Sequence, residues 1–429
     1  MATLERRIGI PGAIMIGLGS MIGAGLFFVW VPAWQLAGEW LWLALLLAGA
    51  VATLNAMSTA QLAMRHPVSG GAYAYGRAEV SPTVGFVAGW LFMTGKTASA
   101  GAIALIAARH VWPEMAPWLA AAFIVGLALV NISGIRSTVR ITTAIVSIVL
   151  ALVVAALVWS ALGLPTASAA GLETVAPVEA NRVEAAPTGP LGVLTAAGML
   201  FFAFAGYARM ATLGEEVREP VHTLPRAIGA GLAIVLVLYG LVGWATTARL
   251  RDALLESAAP VADLVGSPWL HIALLGAAAL ASLGSLTGIL AGLSRTGLAM
   301  ARNADLPGPL SYIWPVTKAP VVAEGVTAAV AVAGVLLLPA GQLVAFSSTC
   351  VLSYYAVAHV SVIRGATRPA EASADPAARP VRWWLPHWVP FAGVALCMLL
   401  VLSLPWVGVL AAAAWLALGL GARALLHRR

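Results

Sequence analysis

The sequence predicts an all-α polytopic membrane protein with about twelve transmembrane helices, and three observations carry that expectation. Apolar residues make up 61% and charged residues only 10% of the 429 residues, and the mean hydropathy is +0.93, far from the balance of a soluble domain. Apolar stretches of about 20 residues, the length that crosses about 30 Å of hydrocarbon, centre near residues 20, 51, 96, 124, 152, 202, 236, 285, 330, 353, 395 and 415. Third, the first and sixth of these stretches are interrupted at their middle by glycines and other small residues.

The first span, within Ile8–Ala33, holds Gly17, Gly19, Gly23 and Gly25 in the run GLGSMIGAGLFF. Unwound backbone survives in a bilayer only where protein or a water-filled cavity satisfies its N–H and C=O groups, so the break points to a solute site rather than an anchor. Arg6 and Arg7 precede the run as they would in a signal peptide. The run is too long and too glycine-rich for a cleaved segment, and it is expected to be retained. Spans one to five (8–164) lead into a loop rich in Pro, Ala and Glu (165–189). Span six, Leu191–Gly214, has Gly206 amid small residues and opens a second set of five (190–364). Two such sets, each opening with a broken helix and each crossing an odd number of times, form an inverted repeat that holds solute at the midplane. The stretch near 285 runs apolar from about 268 to 301, so it has to tilt or protrude. A loop (365–381) and two further spans with a short tail (382–429) follow, and neither loop is long enough to hold a folded domain.

If the chain starts in the cytoplasm, Arg109, Arg182, Arg249 and Arg251 fall outside and Lys96 and Arg209 fall within spans. The rest of the 24 Lys and Arg, including Arg65, Arg77, Arg136, Arg140, Arg218, Arg226, Arg302, Lys318, Arg364, Arg428 and Arg429, fall inside. The positive-inside rule then orients the chain as a multi-pass protein of the cell membrane with both termini cytoplasmic. It also explains the net charge of +7 without a nucleic-acid partner. Trp30, Trp34, Trp40 and Trp42 fit an outer interfacial belt, and Trp383, Trp384 and Trp388 an inner one. Cys350 and Cys397 both fall inside spans, where they say nothing of redox compartment.

Four segments in order carry a family likeness: IGLGSMIGAGLFF (Ile16–Phe28), HPVSGGAYAYGRAEVSPTVGFVAGW (His66–Trp90), FFAFAGYARMATLGEEVREPVHTLPRAI (Phe201–Ile228) and SLGSLTGILAGLSRTGLAMARNADLP (Ser282–Pro307). Together they resemble the amino acid–polyamine–organocation (APC) superfamily of amino acid transporters over about the first ten helices. The resemblance implies the leucine-transporter-like fold, a 5+5 inverted repeat plus two C-terminal helices, and secondary transport by alternating access. The GEEVREP stretch looks most like the cationic-amino-acid branch, although a cytoplasmic loop does not define a substrate.

A broken helix exposes N–H groups at the positive end of the half-helix that follows, where a carboxylate gains charge-assisted hydrogen bonds. The expected carboxylate donors are Gly23, Ala24 and Gly25, where small residues let a ligand touch backbone, and Ile22 is expected beside them in the substrate site. The same glycines would also serve close helix packing. On span six, the resemblance implies that Phe202, Ala203, Phe204 and Gly206 receive the substrate ammonium, with Phe202 as the occluding aromatic. The wall positions it implies are Ala100, Ile289 and Ser348, none of which offers a counter-charge, and this favours a neutral side chain over a cationic one.

All 17 Asp and Glu fall in loops or near span ends. Lys96 and Arg209 are therefore the notable intramembrane charges, each a candidate functional residue. Lys96 is expected near the cytoplasmic gate, with Tyr207 and Tyr354 as further gating candidates. It would either titrate with transport or hold helices together by donating to carbonyls. Some proton-coupled relatives carry a lysine on span five, where the matching position here is Val149. Ser282 and Ser285 could build a sodium site instead, although serines in membrane helices commonly bond their own backbone. Proton symport stands ahead of sodium coupling, with exchange as a further alternative. Glu215, Glu216, Arg218, Glu219 and Arg226 could pair with Arg136, Arg140 and Arg302 to close the cytoplasmic side, or form a solvated loop.

No enzyme, cofactor or metal site is expected. His271 and His359 lack metal-ligand spacing and acidic sequence partners, and neither GxSxG nor HExxH occurs. A channel would call for pore-lining rings. A membrane sensor that binds an amino acid without moving it remains open, as do cationic-substrate transport and the oligomeric state.

Overall fold

Apolar chain can satisfy its backbone polar groups in lipid by forming helices. The computed structural model describes residues 8–68, 70–133, 136–172, 189–214, 216–367 and 383–426, and these form seventeen α-helices and no strand. The first span comprises α1 (Ile10–Met21), α2 (Ala24–Phe28) and α3 (Trp30–Ala37), and the second is α4 (Leu41–Arg65). After a short helix α5 (Ala72–Glu79) come α6 (Pro82–Val111), α7 (Ala116–Ile132) and α8 (Arg136–Ala161). The sixth span is α9 (Pro190–Phe204) and α10 (Ala208–Ala211), joined by a 3₁₀ turn at Ala205–Tyr207. Then follow α11 (Pro220–Leu250), a single-turn α12 (Pro260–Asp263), α13 (Pro268–Arg302), α14 (Val321–Leu337), α15 (Ala340–Thr367), α16 (Trp388–Ser403) and α17 (Trp406–Leu426).

Nine segments of the described residues are long and apolar enough to cross a bilayer. Helices α7, α14 and α16, of 17, 17 and 16 residues, are shorter apolar helices at three further expected centres. At 1.5 Å per residue, 17 residues rise about 25 Å, the short end for a spanning helix. The 35 residues of α13 rise about 52 Å, so its ends reach well beyond the hydrocarbon. Proline opens many of these helices, where a missing N–H does no harm. At α6, Pro82 follows Ser81, whose hydroxyl accepts from the Val84 N–H at 3.2 Å.

Leu46, Val237 and Leu402 are 70%, 63% and 74% exposed and belong to the lipid-facing perimeter. Helix α6, with almost no exposed face, packs against α15 and α13 at the centre of the bundle. Backbone hydrogen bonds tie Ile8 to Glu216 and Arg218, and the Asp305 carboxylate beyond α13 meets Arg77 at 3.2 Å and Arg423 of α17 at 2.8 Å.

Several expectations change. Trp30 is fully buried, donating its indole N–H to Leu26 O at 2.7 Å, so it is a core residue rather than part of the outer belt. Trp40, Trp42, Trp384 and Trp388 are exposed as a belt requires. His271 does meet an acid, lying 3.9 Å from Asp263 because α12 folds back on the start of α13. Burial pushes the Asp263 carboxyl above its ordinary value, opposed by the Ser257 hydroxyl and His271. Arg140 and Arg302 are exposed, and among the described residues neither enters an ion pair that closes this side. Arg6, Arg7, Arg182, Glu215, Arg428, Arg429, the Arg136 side chain and most of the two loops lie outside the described residues.

Candidate functional site

The break in the first span falls where the glycines stand. Helix α1 ends at Met21, Ile22 turns out of the helix at φ −88° and ψ 73°, and Gly23 is extended at φ −130° and ψ −149° before α2 begins. The Val29 N–H bonds Gly25 O and the Ala33 N–H bonds Val29 O, so α2 and α3 run on as one half-helix whose N-terminal turn is Ala24 and Gly25. The sixth span is interrupted differently from the expected unwinding. Its chain tightens into the Ala205–Tyr207 turn, where the Ala205 N–H bonds Phe202 O. That tightening turns the Ala205 carbonyl toward α6, and the Lys96 ammonium donates to it at 3.1 Å.

The two breaks touch. A Cβ on Gly25 would lie 2.8 Å from Ala203 Cα, and one on Gly206 would collide with the Ser20 backbone. Glycine is required at both because backbone approaches backbone. Tyr239 of α11 donates its hydroxyl to Met21 O at 3.1 Å, closing the end of α1. Phe204 packs at a tilt against that same tyrosine, ring centres 4.9 Å apart.

Between the breaks lies a cavity that, with the solvent open to it, encloses about 580 Å³ of space between atoms. Of the expected site residues, Gly23, Gly25, Phe202, Ala203, Gly206 and Ile289 line it, as do Lys96, Arg209 and Ser285. Ile22, Phe204 and Ser282 do not, and Ala24 has no described side chain. Ala100 and Ser348, both fully buried, also lie off the cavity. Ser99, next to Ala100, lines the cavity instead and shares a 2.5 Å hydrogen bond with Ser347, which lies behind it off the cavity. The wall of α6 is the stripe Phe92, Lys96, Ser99 and Ile103, a spacing of four, three and four that keeps side chains on one helical face. Ala100 sits beside that stripe. Counting outward from Lys96 in the sequence would have found it.

Lys96 is thus at the cavity itself rather than at a gate beneath it. Tyr354 packs edge-on against Phe92, with 5.4 Å between ring centres, and against Tyr355, which also meets Tyr207. Tyr354 and Tyr355 line a smaller adjoining space of about 280 Å³ that shares Phe92, Ala208 and Thr212 with the main cavity. Ser282 and Ser285 donate to Ala278 O and Ser282 O of their own helix at 2.7 and 2.9 Å. Arg209 donates to the Thr212 hydroxyl at 2.6 Å and faces the cavity from below the turn.

Beyond Arg209, toward the Ile8 face, sequence reasoning missed a buried polar group. Arg295 of α13 pairs with Glu216 at 3.0 Å, and Glu324 of α14 accepts from Asn131 of α7 at 2.9 Å. Arg295 and Glu324 belong to apolar-looking helices, and only their burial, at 6% and 2% exposure, marks them out.

An α-helical membrane protein whose two broken helices face each other across a cavity has the architecture of a solute carrier. The chain belongs to the amino acid permease family, whose family model matches residues 8–417. It is similar to an uncharacterized transporter of Mycobacterium tuberculosis, at 42% identity over 99% of this chain and 93% of the relative. It is also similar to a branched-chain amino acid permease of Bacillus subtilis, at 25% identity over 97% and 92% of the two chains. A vacuolar cationic amino acid transporter of Arabidopsis thaliana is 28% identical over 84% of this chain and 60% of that protein. The protein is therefore a multi-pass membrane permease for amino acids, not an enzyme.

Proposed function

We propose that this permease carries a neutral amino acid across the cell membrane by alternating access, coupled to protons. The observation that carries the neutral reading is the charge of the central cavity. Lys96 and Arg209 line it, and no carboxylate is among its described lining residues. A cationic side chain would meet two like charges at low dielectric, whereas an apolar one would rest on Phe92, Ile103, Phe202 and Ile289. Similarity to the branched-chain permease over nearly the whole chain supports the same choice.

In this reading the α-carboxylate takes the N–H groups at Gly23, Ala24 and Gly25, and the α-ammonium takes carbonyls around Ala203 and Gly206. Phe202 covers the bound solute, adding cation–π attraction. Residues 8–164 and 190–364 act as the inverted repeats that rock about this site. The charge asymmetry of the loops sets both termini in the cytoplasm. Lys96 links flux to the proton: protonated, it fastens α6 to the Ala205 carbonyl, and deprotonated it releases the turn. A sodium site at Ser282 and Ser285 is the weaker alternative, since both hydroxyls already serve their own backbone.

The test is uptake of labelled amino acids into liposomes bearing the purified protein, with and without an inward proton gradient. Gradient-driven accumulation of neutral amino acids supports the reading. Preferential uptake of arginine or lysine overturns the neutral assignment. Uptake only against internal solute makes the protein an exchanger, and binding without flux makes it a sensor.

A further inference from the structure

A second cavity, of about 740 Å³, opens between the central site and the Ile8 face. It shares Ser20, Arg209 and Gly288 with the central cavity, so the two are consecutive along one route. Its charges differ from those of the central site. Arg209 and Arg295 are balanced by Glu216 and Glu324, which gives both signs and no net charge. Three of its donors are unspent: among the described residues, Arg209 Nε, Arg295 Nη1 and the Thr317 hydroxyl meet no acceptor, while one acceptor, Glu216 Oε1, is ion-paired with Arg295 but hydrogen-bonded to nothing. Arg295 is 6% exposed, and a buried donor left unpaired is costly. Such an arrangement is stabilised by a ligand that brings an anion to the guanidinium groups.

From this we infer that the second cavity is a transient binding site for the zwitterionic backbone of an amino acid, lying between the central site and the Ile8 face. The α-carboxylate bridges the free N–H groups of Arg209 and Arg295. The α-ammonium faces the Glu324 carboxylate, which Asn131 holds in place at 2.9 Å. Because Arg209 borders both cavities, it can keep its hold on the carboxylate while the rest of the solute moves from one to the other. The Glu216–Arg295 pair, at 3.0 Å, fixes the second guanidinium. Selectivity for the side chain is left to the central site, since the charged residues here read only the groups common to all amino acids. The inference rests on the permease reading above.

The experiment is equilibrium dialysis of the purified protein in lipid nanodiscs against each of the twenty proteinogenic L-amino acids, carbon-14 labelled, to saturation. The expected result is two molecules bound per protein for the amino acids that are transported. The double variant Arg295→Gln with Glu216→Gln removes the pair together, leaving no buried charge unmatched, and is expected to bind one molecule at unchanged central affinity. Glu324→Gln is expected to weaken only the second molecule, by about tenfold, as loss of a charged hydrogen-bond partner does. One molecule per wild-type protein, or two in the double variant, overturns the second site and leaves the permease reading standing. Binding of none of the twenty overturns both.

Discussion

The ammonium of Lys96 lies 3.1 Å from the carbonyl oxygen of Ala205, so a cation carried by α6 is fastened to the turn that interrupts the sixth span. A helix turn of this kind leaves a carbonyl without its regular partner, and in a membrane that carbonyl needs a donor. Lys96 supplies one from within the protein.

Replacing Lys96 removes that donor. Lys96→Met is expected to lower uptake by roughly tenfold, the scale of one charged hydrogen bond, and to flatten the dependence of flux on pH. Uptake measured across a pH series checks both. An unchanged pH profile would leave Lys96 a structural residue.

Gly206 separates packing from solute contact. Gly206→Ala drives a methyl group into the Ser20 backbone, which no side-chain rotation relieves, and is expected to destabilise the protein by about 1–3 kcal/mol. Gly240→Ala meets open space on α11 and should leave the thermal unfolding midpoint in detergent nearly unchanged. Equal midpoints for the two variants would refute the contact between the broken helices. Loss of binding in Gly25→Val cannot be assigned to carboxylate recognition alone, since its Cβ also meets Ala203.

Charge selectivity tests the cavity lining. Arginine and lysine should compete with uptake of a neutral amino acid at least about tenfold more weakly than neutral amino acids do, given two like charges in the site. Arg209→Gln should narrow that gap. Strong competition by arginine in the wild type would contradict the neutral assignment.

On the Ile8 face, Glu79 accepts from His66 at 2.7 Å and Arg65 at 3.2 Å. Burial pushes its carboxyl up, but the hydrogen bonds and charges of His66 and Arg65 outweigh burial and hold it below its ordinary value. A lowered carboxyl stabilises the fold above the unfolded value of about 4.3 and loses that contribution as pH falls through the folded value. Glu79→Gln should therefore reduce stability by about 1–3 kcal/mol at neutral pH. The gap to wild type should close on acidification, and a gap that widens in acid would be inconsistent with this pairing.

Much of this architecture can be read from the chain because a bilayer narrows the choices. Length and hydropathy locate helices such as α13 (Pro268–Arg302) to within a residue or two of the expected apolar run, and the glycines of GLGSMIGAG mark the first break. Side-chain direction is harder. Ala100 falls one step from Ser99, which lines the wall, and Ser348 one step from Ser347, which bonds Ser99 behind it, because small residues crowd both faces of a buried helix and blur its period. Trp30 looks like an interfacial residue until Tyr239, from a distant helix, is seen against it, with ring centres 5.8 Å apart. Arg295 and Glu324 were invisible as a group because their proximity depends on α13 and α14 meeting α7 in space.

The most direct measurement is accumulation of the labelled neutral amino acid that the protein takes up, in liposomes bearing the wild-type protein or Lys96→Met, with the outside made more acidic than the inside. Proton-coupled transport through Lys96 requires that solute to concentrate inside wild-type liposomes and to equilibrate only, without gradient-driven concentration, in the variant. Equal accumulation in both, or uptake indifferent to the gradient, would contradict it.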